Sequence, residues 1–201
     1  MTHNVGIFVF DDVEVLDFAG PYEVFTTAAR MHARIDTKAP PLFNVFTIGR
    51  TLSPLRARAG LSVFPDHDFT HHPPIDLLIV PGGVVTAELA RPEVSEWITK
   101  VSSQTQLTAS VCTGAFLLAK AELLDGKQAT THWEDIDDLK SMFPTVKVQT
   151  NQRWIDEGKI ITSAGISAGI DMSLHLVERM AGRALAERTA RQLDFDWTEN
   201  S

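Results

Sequence analysis

The sequence predicts an α/β protein: a three-layer sandwich with helices on both faces of a mostly parallel central sheet. Short apolar runs alternate with amphipathic stretches of about ten to fifteen residues, the rhythm of βαβ units. VGIFVF at Val5–Phe10 and IDLLIV at Ile75–Val80 are apolar without interruption, as strands covered on both faces are. The chemically distinctive residues Asp17, Gly82, Gly83 and Cys112 each lie just after such a run.

Taken in order, Val5–Phe10 is bounded by Asp11 and Asp12 and gives the first strand. A helix is expected to start at Gly20-Pro21, since proline suits the first helical position, with Val24, Phe25, Ala28, Ala29 and His32 at helical spacing. That boundary puts Asp17 in the first βα loop, where it either favours the helix N-terminus or faces a ligand. Phe43–Ile48 is a second strand and Leu61–Phe64 a short extended piece, followed by Ile75–Val80 running into Pro81-Gly82-Gly83. Two glycines at a strand end leave backbone N–H groups open to a ligand, because no Cβ stands in the way. Val94, Trp97, Ile98 and Val101 mark an amphipathic helix over Pro92–Ser103.

The stretch Leu107–Ala121, LTASVCTGAFLLAKA, holds the single cysteine of the chain. Leu107, Ala109 and Val111 give a strand, Gly114 a tight turn, and the apolar residues after it a helix. Cys112 therefore sits on a strand-to-helix corner of nucleophile-elbow type, beside the free N–H groups of a helix start, where a thiolate is expected to be favoured. A lone cysteine is otherwise a small buried hydrophobe.

Beyond it, Gln128–Thr131 is read as a strand ending at His132, and Glu134–Phe143 as a helix. Val146–Gln149, Arg153–Asp156 and Lys159–Thr162 follow as short strands, the last two joined at Glu157-Gly158. Ser167–Met180 and Ala184–Leu193 are the closing helices, with a tail after them. In a parallel, flavodoxin-like sheet the carboxyl ends of the strands meet at one edge, so Asp17, Gly82-Gly83 and Cys112 converge on one pocket.

At 201 residues the chain fits a single α/β domain over 1–201. The net charge of −8 disfavours nonspecific attraction to nucleic acid or anionic membranes and leaves small molecules as the expected partners. No basic leader, membrane-length apolar run or possible disulfide is visible, which predicts a reducing cytoplasm. The segment DHDFTHHPP, with Asp66, His67, Asp68, His71 and His72, has no recognised metal spacing and reads as a solvated loop. Asp171 is expected to serve the start of its helix, and Arg179, Arg183, Arg188 and Arg191 to form a solvated helical face.

VLDFAGPYEVF, DLLIVPGG, ASVCTGAFLLA, ATTHWED and ITSAGISAGIDMSLHLVE, in this order, resemble the ThiJ/PfpI superfamily, whose fold is similar to the class I glutamine amidotransferase domain. Within it the chain is similar to isonitrile-hydrating enzymes and to the sensor domains of AraC-type regulators. The resemblance implies Cys112 as nucleophile, Thr113 as the hydroxyl beside it and Asp17 as the acidic partner. The peptidase-like members carry histidine directly after the cysteine, where this chain has Thr113. His132 is either an alternative base or a packed strand-end residue. The chain stops before a helix-turn-helix region of the AraC type fits, so nucleic acid is not an expected partner. The implied reaction is hydration of an isonitrile to an N-substituted formamide through a thioimidate, without metal or cofactor, in a homodimer. Backbone N–H groups at Gly82, Gly83 and Thr113 are expected to stabilise developing charge. A ligand or oxidant sensor, or another hydrolase or glyoxalase-like activity on the same thiol, stands as the alternative.

Overall fold

The computed structural model describes residues 1–35 and 37–199. Among the described residues the strands follow one another as β1 (His3–Phe8), β2 (Phe43–Gly49), β3 (Leu55–Arg56), β4 (Ser62–Val63), β5 (His67–Asp68), β6 (Leu77–Val80), β7 (Leu107–Val111), β8 (Gln128–Ala129), β9 (Lys147–Val148), β10 (Trp154–Asp156) and β11 (Ile160–Ser163). The helices are α1 (Val15–Ile35), α2 (Thr86–Leu89), α3 (Pro92–Gln104), α4 (Gly114–Lys120), α5 (Ile136–Met142), α6 (Ala168–Ala181) and α7 (Arg183–Gln192).

Seven strands form the central sheet in the order β10-β11-β7-β6-β1-β2-β5, all neighbours parallel except the β10–β11 hairpin. Counting only the five longest parallel strands, the order is 2-1-3-4-5, the flavodoxin-like arrangement, with its switch point between β1 and β6. β1, β6, β7 and β11 end in fully buried residues, as strands covered on both faces must. Helices α1, α6 and α7 pack together over one face and α2, α3 and α4 over the other. Gly114–Ala119 of α4 are all buried, so this helix is apolar all round and forms the inside of its layer. Among the described residues no helix is long and apolar enough to cross a membrane.

Several expected boundaries move. The first helix begins at Val15, six residues before Pro21, so Asp17 stands in its first turn rather than in a loop. Pro21 lies inside the helix and removes one backbone bond, yet Phe18, Gly20, Pro21 and Val24 are all buried, and tertiary packing outweighs the local preference. The segment Gln128–Thr131 does not join the main sheet; β8 pairs with β9 in a separate ladder. The expected helix from Glu134 starts as a single 3₁₀ turn, Trp133–Asp135, before α5.

Asp171 stands in the first turn of α6, as expected of an acid that serves a helix start, and its carboxylate also reaches beyond the helix. Buried completely, it accepts from Arg153 Nε at 2.7 Å and from the Thr198 backbone N–H at 2.7 Å. The expected tail therefore returns to the body, with Phe195 and Trp197 packed on the core and the Arg183 guanidinium 4.8 Å from the Trp197 ring centroid. Of the four arginines expected as a solvated face, Arg179 binds Asp156 and Arg183 binds Glu178, Glu187 and Glu199. The His67–Asp68 segment is the edge strand β5, and the oxygen Oδ1 of Asp68 is taken up by Thr70 and His71.

Candidate active site

The corner after β7 is built as the elbow requires. Cys112 takes φ 56°, a left-handed conformation that costs an L-residue about 1–2 kcal/mol. Neighbouring groups hold it there: Cys112 N–H donates to Ser163 O at 3.1 Å and Thr131 Oγ1 donates to Cys112 O at 2.9 Å. Gly114 does not make the turn, contrary to expectation. Its role is close approach, since a Cβ would stand 2.1 Å from the Val80 carbonyl oxygen.

The loop after β6 is sewn to the loop after β1. Glu14 N–H donates to Gly82 O at 2.9 Å, and Val13 pairs with Gly83 in an antiparallel bridge. At φ 131° Gly83 has no space for a side chain, because a Cβ would lie 2.3 Å from Asp12 O. This stitching brings Asp17 to the same place as the corner. Asp17 is fully buried, and its Oδ2 accepts the Gly82 N–H at 3.0 Å while Oδ1 has no hydrogen-bond partner.

The glycine N–H groups expected to face a ligand are already used. Gly82 N–H serves Asp17, and Gly83 N–H donates to Thr113 Oγ1 at 2.9 Å. Each amide has one proton, so Gly82 and Gly83 are not open oxyanion donors; they fix the acid and the hydroxyl. Thr113 Oγ1 in turn donates to Gly83 O at 2.9 Å, which commits its only proton to the loop. The Thr113 backbone N–H acts to lower the pKa of the Cys112 thiol and is the amide left to support negative charge on the sulfur.

Electrostatics follow from burial. Desolvation lifts the Asp17 carboxyl to about 7; the Gly82 N–H opposes this, Glu14 adds to it, and contact with the Cys112 thiol and the charge of Arg58 oppose it. The thiol is pushed well above its ordinary value, first by burial and then by the Asp17 charge, against the pull of the Thr113 N–H. The expectation that the elbow favours a thiolate is overturned: a helix start of one short turn-rich segment does not offset desolvation beside a carboxyl. The resting site holds a neutral thiol next to an acid poised near neutrality.

Above the sulfur lies a cavity of about 210 Å³ lined by Glu14, Arg58, Gly83, Cys112, Thr113, His132, Glu134, Asp135 and Ile166. His132 shares it. Its Nδ1 accepts the Glu134 N–H at 3.4 Å and stands 3.2 Å from Asp135 Oδ2. The opposite ring edge faces Gly165, where a Cβ would come 2.2 Å from His132 Cδ2 and 3.3 Å from Cys112 Sγ. Arg58, Glu14, Glu134, Asp135 and Ile166 were not singled out by sequence. Glu14 lies in the EVLDFAG segment near Asp17 and the two acids follow His132 after Trp133, but nothing in the sequence places Arg58 here.

These features define the class: an α/β thiol protein whose nucleophile elbow faces a buried acid across a sheet switch point. The sequence pattern of the DJ-1/PfpI family matches residues 3–179, and the chain belongs to that family. Isonitrile hydratase of Pseudomonas putida is 32% identical over 197 residues, 97% of this chain and 79% of that protein. The HTH-type transcriptional regulator GbdR of Pseudomonas aeruginosa is 28% identical over 197 residues, 98% of this chain but 52% of the regulator, so the chain spans about half its length. The crystal structure of a ThiJ/PfpI family protein from Pseudomonas syringae superposes with a TM-score of 0.85 at 25% identity, covering 99% of this chain and 77% of that one.

Proposed function

We propose that the protein hydrates small isonitriles to N-substituted formamides, with Cys112 as nucleophile and Asp17 as the proton carrier. The observation that carries this reading is the pairing of a neutral thiol with a buried carboxyl whose pKa is raised to about 7. The similarity to isonitrile hydratase over 97% of the chain supports it.

An isonitrile reacts at its terminal carbon. Asp17 in its protonated form gives a proton to that carbon as the Cys112 sulfur bonds to it, and the thiol proton passes to the Asp17 carboxylate. The result is a thioimidate, R–N=CH–S, with Asp17 protonated again. Water then adds to the same carbon, the nitrogen takes a proton, and the carbon–sulfur bond breaks to release R–NH–CHO and the thiol. The step needs both protons in place, the state that burial favours below about pH 7. The Thr113 N–H supports charge on sulfur as it leaves, while the Thr113 hydroxyl positions Gly83.

Turnover of a panel of simple isonitriles by the wild type and by Cys112→Ala tests this. Formamide production lost in the variant is the expected result; equal turnover removes the covalent route. A second reading, a pocket that binds a ligand without converting it, is favoured by the 28% identity to a transcriptional regulator. Saturable binding of a small molecule with no product formed over many hours is its signature. An oxidant-sensing role is disfavoured by the high pKa of the thiol, because sulfenic acid forms from thiolates.

A further inference from the structure

The cavity above the sulfur is charged unevenly. Glu14, Glu134 and Asp135 bring three carboxylates to its wall, whereas Arg58 brings one guanidinium, and that group is engaged by Glu14 at 3.3 Å. Cancelling this pair leaves Glu134 and Asp135, which converge on His132 Nδ1 at 3.9 and 3.2 Å. The Glu134 N–H meets that same nitrogen at 3.4 Å, so the two acids and the ring form one cluster on the wall. Deeper still is Asp17, with one buried oxygen that no protein group satisfies.

We infer that the cavity selects its substrate by charge, admitting compact electrophiles that are neutral or cationic and excluding those that carry a carboxylate, sulfonate or phosphate. On the reading above, these are small neutral or amine-bearing isonitriles. A cavity of about 210 Å³ has room for about seven water molecules, at roughly 30 Å³ each, so any substituent stays close to the wall. A sphere of that volume is about 7 Å across, shorter than the Debye length of about 8 Å at physiological salt, so salt screens the two carboxylates only in part. Their influence reaches the sulfur: Asp135 is among the charges that raise the thiol.

Cys112 is the only cysteine, so thiol labelling reports this cavity whatever its natural substrate. The experiment compares the labelling rates of the intact chain with two charged methanethiosulfonates, bearing a 2-aminoethyl or a 2-sulfonatoethyl group, and with the smaller neutral methyl reagent as a reference for access to the thiol. The cation-to-anion rate ratio, normalised to that of 2-mercaptoethanol, is expected to exceed one by about tenfold or more at low salt and to fall as salt rises. Glu134→Gln is expected to lower it by about threefold. Glu96→Gln, an exposed site on α3 with the same change in net charge, is expected to leave it in place. A normalised ratio near one, a preference for the anion, equal effects of the two substitutions, or no labelling by any reagent would overturn the inference.

The isonitrile assay separates the two proposals. Charge-selective labelling with no isonitrile turned over removes the reaction and keeps the selectivity. Turnover of neutral and carboxylate-bearing isonitriles at similar kcat/KM keeps the reaction and removes the selectivity.

Discussion

The burial of Asp17 bears directly on stability. Its carboxyl binds a proton more tightly in the folded state than unfolded, so folding stability falls as pH rises from about 3.8 through about 7. A shift of about three units corresponds to about 4 kcal/mol as an upper bound. Asp17→Asn is therefore expected to raise stability by about 2–4 kcal/mol at pH 8 and to change it little at pH 4. Urea unfolding at the two pH values measures this. Under the proposed reaction the same ionisation governs turnover: kcat/KM for an isonitrile is expected to fall about tenfold per pH unit above about 7, and Asp17→Asn to lose about 10²–10⁴ of it. A flat pH–rate profile would separate Asp17 from proton transfer. Sequence made Cys112 legible because it closes an apolar run, and Asp17 because it falls between the first strand and Gly20-Pro21. It did not show that the thiol rests neutral, since desolvation is a property of the packed site. Nor did it show Arg58, whose partner Glu14 is brought to it only by the fold.

At the scale of elements, hydrophobic runs were sufficient to find the main strands and most helices, while their ends were decided by contacts between distant segments. The start of α1 shows this: Gly20-Pro21 reads as an N-terminus, but the buried face continues back to Asp17. Gly114 was legible as a necessary glycine and misread in purpose, because the approaching Val80 carbonyl comes from another strand. The segment after α7 gave no periodic signal, yet Asp171 ties it to α6 through Thr198 and holds Arg153, the residue before β10. Asp171→Ala leaves the Thr198 N–H and Arg153 without that carboxylate and is expected to cost about 2–4 kcal/mol. Chemical denaturation measures the cost, and increased proteolysis beyond Leu193 would accompany it.

For the molecule as a whole, alternation of strands and helices predicts an α/β sandwich, and the strand order turns that prediction into a site. β1 sits between β2 and β6, so the loops leaving β1 and β6 diverge to opposite faces of the sheet and open a crevice at the switch point. The order itself depends on which crossover folds over which strand, information that no local pattern carries. The bridge between Val13 and Gly83, with Glu14 N–H on Gly82 O, fastens two such loops before any ligand arrives. Fastened loops open only when their strands part. Amide hydrogen exchange at Gly82, Gly83 and Cys112 is therefore expected to be among the slowest in the protein and to track global unfolding, whereas amides around Trp133–Asp135 exchange through local opening. A site frozen in this way meets its ligand as a lock already cut, and association should show a single concentration-dependent phase with no slower rearrangement behind it.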